Sequence, residues 1–495
     1  MGVAIDTDRF EERDYETFRH KLAANLVALS SLLSRPGFGL GPMTIGAELE
    51  LDLVDGDGEP WLASREILST LSRDAFTFEM NRFNLECNAA PCPLVGRPFT
   101  ALARDLAARV AEVDLAARRR GGRAVTIGIL PTLRPEHFKA GVATSMPRFR
   151  AMNAGLRRLR GGPFRVNIEG VDKLQLDTRD VFLEGANTSF QLHLRVSPAA
   201  FDDTYNAAQL ATCAVLAGAG NSPIFLGHRL WDETRIALFS QATDDRARDD
   251  ASGRPPRASF GRGWLTGGAA VLFARVAEHP PLLPVVDQQD PLEAVARGDT
   301  PTLFELRLAQ STVWTWNRPV YDPTGHLRIE LRALPAGPTV KDMVANAAFV
   351  LGLTLGLVPS MPAIVRDLPF SLVEAGFLHA ARVGPDAIVA WPQDRGGFTQ
   401  VPVRALWPRL LALAARGLHS AGVDPAEARE HLGVFAERAL TGKTGARWLA
   451  EGFPSGEDAR VGLARRLDAY AALSAEGHPV ARWPSVVPWS PGAVA

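Results

Sequence analysis

From Met43 to Val54 the chain alternates with a period of two. Thr44, Gly46, Glu48, Glu50 and Asp52 fall on one side, and Ile45, Ala47, Leu49, Leu51 and Leu53 on the other. An extended strand sorts residues this way, so the segment predicts a strand with one apolar face and one carboxylate face. Asp55-Gly56-Asp57-Gly58 is turn chemistry and closes it. Three later segments repeat the device. Arg82 to Asn88 offers Glu86 and Asn88, Asn187 to Val196 offers Gln191 and His193, and Leu327 to Leu334 offers Glu330 and Arg332. In each pair the i, i+2 spacing points both side chains the same way, so an antiparallel sheet could gather all four into one basin. Oxygen ligands with one imidazole suit Mg or Mn rather than zinc. Any single pair reads more readily as the solvent face of an amphipathic strand; the set of four is what points to a divalent-metal site.

The rest of the chain fills in an α+β pattern. Phe18, Leu22, Leu26, Leu29, Leu32 and Leu33 recur at helical spacing between Tyr15 and Leu33, and Arg35-Pro36-Gly37 stops them. A second helix is predicted from about Thr100 to Arg119. Ala124 to Leu130 and Leu303 to Leu308 read as further strands. Pro335 to Pro338 leads into a helix that Thr339 can cap. Charge and proline place loops at Asp244 to Arg257 and Pro280 to Pro291. After Arg366 the chain turns to Ala, Leu and Arg helices, which sets a boundary near 366, and a proline-dotted tail follows Trp483. There is no β-α-β rhythm and no glycine-rich first turn, so an antiparallel sheet packed by helices is favoured over a doubly wound fold.

Composition narrows the partners. Lys plus Arg is 54 and Asp plus Glu is 55, a formal charge of -1, and no global field draws the chain to nucleic acid or to an anionic membrane. Small-molecule substrates are expected, with no membrane partner; the oligomeric state is left open. Two windows lack charge, Thr204 to Gly227 and Met343 to Val365, but Asn206, Gln209, Asn221, Asn346, Gly352, Gly356 and two prolines suit buried helices better than lipid. The N-terminus alternates acids and bases where a signal peptide needs an apolar core. Cys87, Cys92 and Cys213 cannot all pair and do not make a zinc set, which points to a reducing, cytoplasmic compartment. Cys87 alternates away from Glu86 and Asn88, toward the core. Gly442-Lys443-Thr444 imitates the end of a phosphate loop, yet Glu437 stands where that loop needs glycine and a helix precedes it. No Gly-x-Ser-x-Gly elbow occurs.

Taken together the segments resemble the glutamate-cysteine ligase family. The resemblance rests on Ile45-Gly46-Ala47-Glu48-Leu49-Glu50, Asn84-Leu85-Glu86-Cys87-Asn88-Ala89-Ala90-Pro91, Met146-Pro147-Arg148-Phe149-Arg150 and Thr188-Ser189-Phe190-Gln191-Leu192-His193. It continues through Asn221-Ser222-Pro223, Arg229, Trp231, Thr234-Arg235, Asp244-Asp245-Arg246, Ser311-Thr312-Val313-Trp314, Arg318-Pro319, Ile329-Glu330-Leu331-Arg332 and Thr441-Gly442-Lys443-Thr444-Gly445-Ala446-Arg447-Trp448-Leu449. The resemblance implies a glutamine synthetase-like domain over residues 1–365, a curved antiparallel sheet forming a funnel-like active site. Residues 366–495 would be a mostly helical C-terminal region packed on it. It further implies an ATP-dependent ligase with two or three Mg ions, Mn being possible, held by Glu48, Glu50, Glu86, Gln191, His193 and Glu330. Arg332 would lie against phosphate, Arg235 against an anionic substrate or acyl phosphate, and Asn88 and Trp231 near substrate. Glu305 competes with Glu330, which is preferred because Arg318-Pro319 precedes it and Leu334-Pro335 follows. Thr234, Asn88 and His193 vary from many members of the family, which bears on the amine. The implied reaction joins the γ-carboxylate of glutamate to cysteine through an acyl phosphate, in glutathione biosynthesis. The alternatives are a ligase for another amine, a guanidino or carboxylate kinase of the same fold, and a non-catalytic regulatory relative.

Overall fold

The structure, a computed structural model, describes residues 5–72, 75–139, 141–247, 250, 252–393, 395–453 and 459–486. Its centre is a seven-stranded antiparallel sheet built from β1 (Thr44–Val54), β2 (Phe76–Phe78), β3 (Asn84–Pro93), β4 (Arg123–Val125), β5 (Phe190–Val196), β6 (Asn317–Asp322) and β7 (His326–Leu331). The strand order is β6-β7-β5-β1-β3-β2, with β4 also paired to β1. The expected antiparallel sheet packed by helices is therefore present, and it is strongly curled into a half-barrel. Part of the curl has a local cause. Opposite Ile45 and Ala47 the register of β3 jumps from Cys92 to Ala89, a bulge that bends the strand and accommodates Pro91.

The apolar face of each strand enters one core. Leu49, Leu51, Leu85, Cys87, Phe190, Leu192, Leu194, Leu327 and Ile329 are all buried in it. The helices Pro98–Arg118 and Val340–Leu357 cover this face, both contacting strands of the sheet. Thr339 caps the second as predicted, its hydroxyl accepting from the Asp342 amide at 3.1 Å. The span Val340–Asp367 is long and apolar enough to cross a membrane by length and composition. Here its helical part is packed among the helices Phe201–Leu216, Val403–Ser420 and Pro425–Thr441, and every residue from Asp342 to Thr354 is buried. The other uncharged window holds the helix Phe201–Leu216, equally enclosed.

Several sequence expectations change. Leu303 to Leu308 is not a strand: Phe304–Gln310 is a helix. A short run of leucines alternating with Phe304, Glu305 and Arg307 fits either period, and packing against the N-terminal helix Glu12–Leu33 decides for the helix. Of the predicted Ala124 to Leu130 strand only Ala124 and Val125 pair, in a strand that begins at Arg123, and the chain from Ile127 to Leu130 is buried without joining the sheet. The region after 366 adds a hairpin, Ile388–Pro392 with Phe398–Pro402, to the expected helices. Gly442 lies at φ 69° as the left-handed end of the helix Pro425–Thr441, and Thr444 caps the next helix, which accounts for the false phosphate loop. The tail residues 487–495 lie outside the described residues.

Candidate active site and metal centre

The sheet register aligns the polar faces. Glu50 stands opposite Glu86, Glu48 opposite both Asn88 and Gln191, and His193 opposite Glu330. Four segments scattered from residue 48 to residue 330 thus present their side chains on one continuous floor. Above that floor lies a cavity of about 590 Å³. Glu48, Glu50, Glu86, Gln191 and Arg332 line it, while His193, Glu330 and Asn88 bond to these residues without lining it themselves.

The floor divides into two acid clusters. In the first, His193 Nε2 lies 3.2 Å from Glu48 Oε1 and 3.8 Å from Glu330 Oε1. In the second, Glu50, Glu79 and Glu86 each bring a carboxylate oxygen within 4.8 Å of the others. The same limit holds for the first cluster. Both donor sets could hold a hard divalent cation, since carboxylate oxygens with one imidazole are the ligands such ions take. The crowding shows in the protonation equilibria. Burial, and then the Glu48 carboxylate, push Glu86 up to about 7. Burial raises Glu50 too, against the pull of Arg235 and hydrogen bonds from Ser189. Glu79 is raised well above the usual range by burial and by Glu50 and Glu86. These carboxyls face one another with too little positive charge between them, which a cation would supply.

Cations of the chain fix part of the floor. Arg318 grips Glu330 with two hydrogen bonds, from Nε at 2.5 Å and from a terminal nitrogen at 3.0 Å. Burial opposes ionisation of Glu330, yet Arg318, Arg332 and His193 hold it down to about 2. Arg332 donates to Gln191 Oε1 at 2.5 Å and lies 3.4 Å from Glu330. Gln191 passes the restraint on by donating to Glu50 Oε1 at 3.1 Å. Thr77 and Asn88 donate to Glu86 Oε1 at 3.0 and 2.9 Å.

Two sequence candidates sit elsewhere. Arg235 is buried and does not line the cavity: it donates to Glu233 at 2.9 Å and to the Ala333 carbonyl at 3.2 Å, close enough to Glu50 to act on its charge. Trp231 donates from its indole to the Glu169 carbonyl at 3.0 Å, also off the cavity. Glu305 is bound by Asn25 and the Asp287 amide, away from the floor, so Glu330 is the acid of the Glu305–Glu330 pair that joins the cluster. Burial pushes the Cys87 thiol up to about 12, an inert core position.

The cavity also contains residues that strand periodicity missed: Glu79, Glu184, Arg65, Arg148, Trp314 and Arg318. Glu79 follows a three-residue strand and Glu184 lies in the 3-10 turn Val181–Ala186, so neither has a period to betray it. Of these, Arg148, Trp314 and Arg318 fall within the segments that carry the family resemblance.

Residues 44–252 match the sequence model of glutamate-cysteine ligase family 2 (GCS2). Among solved structures the chain is similar to glutamate–cysteine ligase from Francisella tularensis in complex with AMP, with a TM-score of 0.52 at 10% identity over 90% of this chain and 96% of that one. This likeness shows a shared fold. A bifunctional glutathione synthetase from Pasteurella multocida aligns with a TM-score of 0.44 at 13% identity, over 92% of this chain and 55% of that one. No curated protein matches the sequence.

Proposed function

We propose that this chain, whose residues 44–252 carry the glutamate-cysteine ligase family 2 pattern, is an ATP- and magnesium-dependent carboxylate-amine ligase acting on glutamate and cysteine. The observation that carries the reading is the pair of acid clusters side by side on one cavity floor. Glu48, His193 and Glu330 would hold one magnesium ion and Glu50, Glu79 and Glu86 another, and bound ions would offset charge on the phosphates of ATP and on the transferring phosphoryl group.

The chain's own residues bind and orient. Arg332, lining the cavity beside both clusters, offers the forked donors that suit a phosphate oxygen. Arg318 keeps Glu330 ionised and fixed in orientation. We assign Arg235 a positioning role behind Glu50, and Trp231 no substrate contact, because neither lines the cavity. In the reaction a carboxylate oxygen attacks the γ-phosphorus and ADP leaves. The amine, having lost a proton, then attacks the acyl carbon, and phosphate leaves as the amide forms. Among the described residues, all that line the cavity fall between Glu48 and Arg332, so we propose that the region after 366 supports the site without entering it.

Phosphate release from ATP with magnesium and glutamate, adding cysteine and other amines one at a time, tests the proposal. Release that requires cysteine supports it. Release that requires another amine keeps the ligase chemistry and replaces the amine. A stable phosphorylated product without free phosphate identifies a kinase, and no turnover with any pair favours a regulatory relative.

A further inference from the structure

The segment from Ser311 to Arg318 works as a partition. Ser311, Trp314 and Arg318 line the large cavity, while Thr315 and Arg318 line a second one of about 50 Å³. One water needs roughly 10–15 Å³ measured this way, so the smaller cavity holds about three to five waters or one small oxyanion.

Its wall is one-sided in charge. Among the described residues no carboxylate lines it, whereas Arg262, Arg275 and Arg318 do. Arg318 is committed to Glu330, and Arg262 pairs with Glu278 at the exposed rim. Arg275 makes no ion pair or hydrogen bond with any described residue. The hydroxyls of Ser259 and Thr315 and the side-chain amide of Gln310 share the wall, also without a hydrogen-bond partner among the described residues. His279, 8% exposed, belongs to the same wall and leaves Nδ1 without a partner. Three guanidinium groups converge here, and no carboxylate among the described residues of the wall faces them. Arg275, Ser259 and Thr315 are half-buried, and positive charge gathered without an acid opposite it favours an anion brought from outside.

We propose that this cavity is a binding site for a small oxyanion of the phosphate class, held by Arg275 with Ser259, Thr315 and Gln310 and distinct from the large cavity. Neutral water would satisfy the hydroxyls but would leave Arg275 uncompensated. Arg318 walls both cavities, so an anion on this side acts on the guanidinium that orients Glu330 on the other. The inference stands whether or not the ligase reading does.

Calorimetric titration of the whole protein with inorganic phosphate, free of magnesium and nucleotide, tests it, with sulfate as a second arm. The expected result is one anion bound, with Arg275→Gln weakening it about tenfold or more, equivalent to ~1.4 kcal/mol. Arg332→Gln, in the large cavity, should leave the affinity unchanged. Should Arg275→Gln not fold, Ser259→Ala combined with Thr315→Val decides, since it keeps the charge and removes two donors. Absence of binding at millimolar phosphate overturns the proposal. So does binding that Arg332→Gln abolishes, or that neither small-cavity variant weakens.

Discussion

Glu330 is nearly enclosed, with a side chain 1% exposed, and it stays charged because Arg318 meets it with two donors. Breaking a buried pair by removing one partner strands the other charge. Arg318→Gln is therefore expected to cost ~3 kcal/mol of stability in urea unfolding at neutral pH, at the low end of such losses because Arg332 remains nearby. A loss within error would mean that Glu330 is not held as described. Glu184 is the opposite case. Burial, and then the Glu50 carboxylate, push it up to about 8, although Arg332 pulls the other way. The unfolded chain ionises this group from about 4.5 upward while the folded chain does not until about 8. Its contribution is thus fully present below pH 4.5 and is lost as pH rises through about 8. Metal-free Glu184→Gln should lose less stability than the parent between those values, and parallel curves would contradict the assignment.

At the scale of elements, β1 and β5 were legible because each has one face in the core and the other on the cavity floor, so burial and function both follow the period of two. Periodicity alone does not reveal the Phe304–Gln310 helix, because seven residues are too few to separate the two periods. Glu79 and Glu184 were invisible because a loop and a 3-10 turn have no repeating face. The glycines of the uncharged window suit a buried helix, and the structure gives them a further use. Gly352 and Gly356 let the helix Val340–Leu357 touch the backbone of Val403–Ser420 at Gly417, where an added Cβ would lie 2.0 Å from the Gly352 carbonyl oxygen. Alanine is the better helix former by ~1 kcal/mol, but overpacking costs ~1–3 kcal/mol and backbone cannot step aside as a side chain can. Gly417→Ala should therefore lower the melting temperature despite its propensity gain, and a rise would show that the helices pack less closely.

For the whole molecule, the site is an assembly made by topology. Residues from β1, β3, β5 and β7 meet only because these strands are neighbours in one curled antiparallel sheet. The helices after residue 340 contribute core instead: Arg438, buried beside Asp342 and hydrogen bonded to Asn346 at 2.6 Å, ties Pro425–Thr441 to Val340–Leu357. The central claim is that a carboxylate is activated as an acyl phosphate over this floor before an amine takes it. Oxygen transfer tests that step most directly. Glutamate labelled with oxygen-18 in its γ-carboxylate, turned over with ATP, magnesium and cysteine, should deliver one labelled oxygen to each phosphate released. Unlabelled phosphate accompanying amide formation would contradict the account.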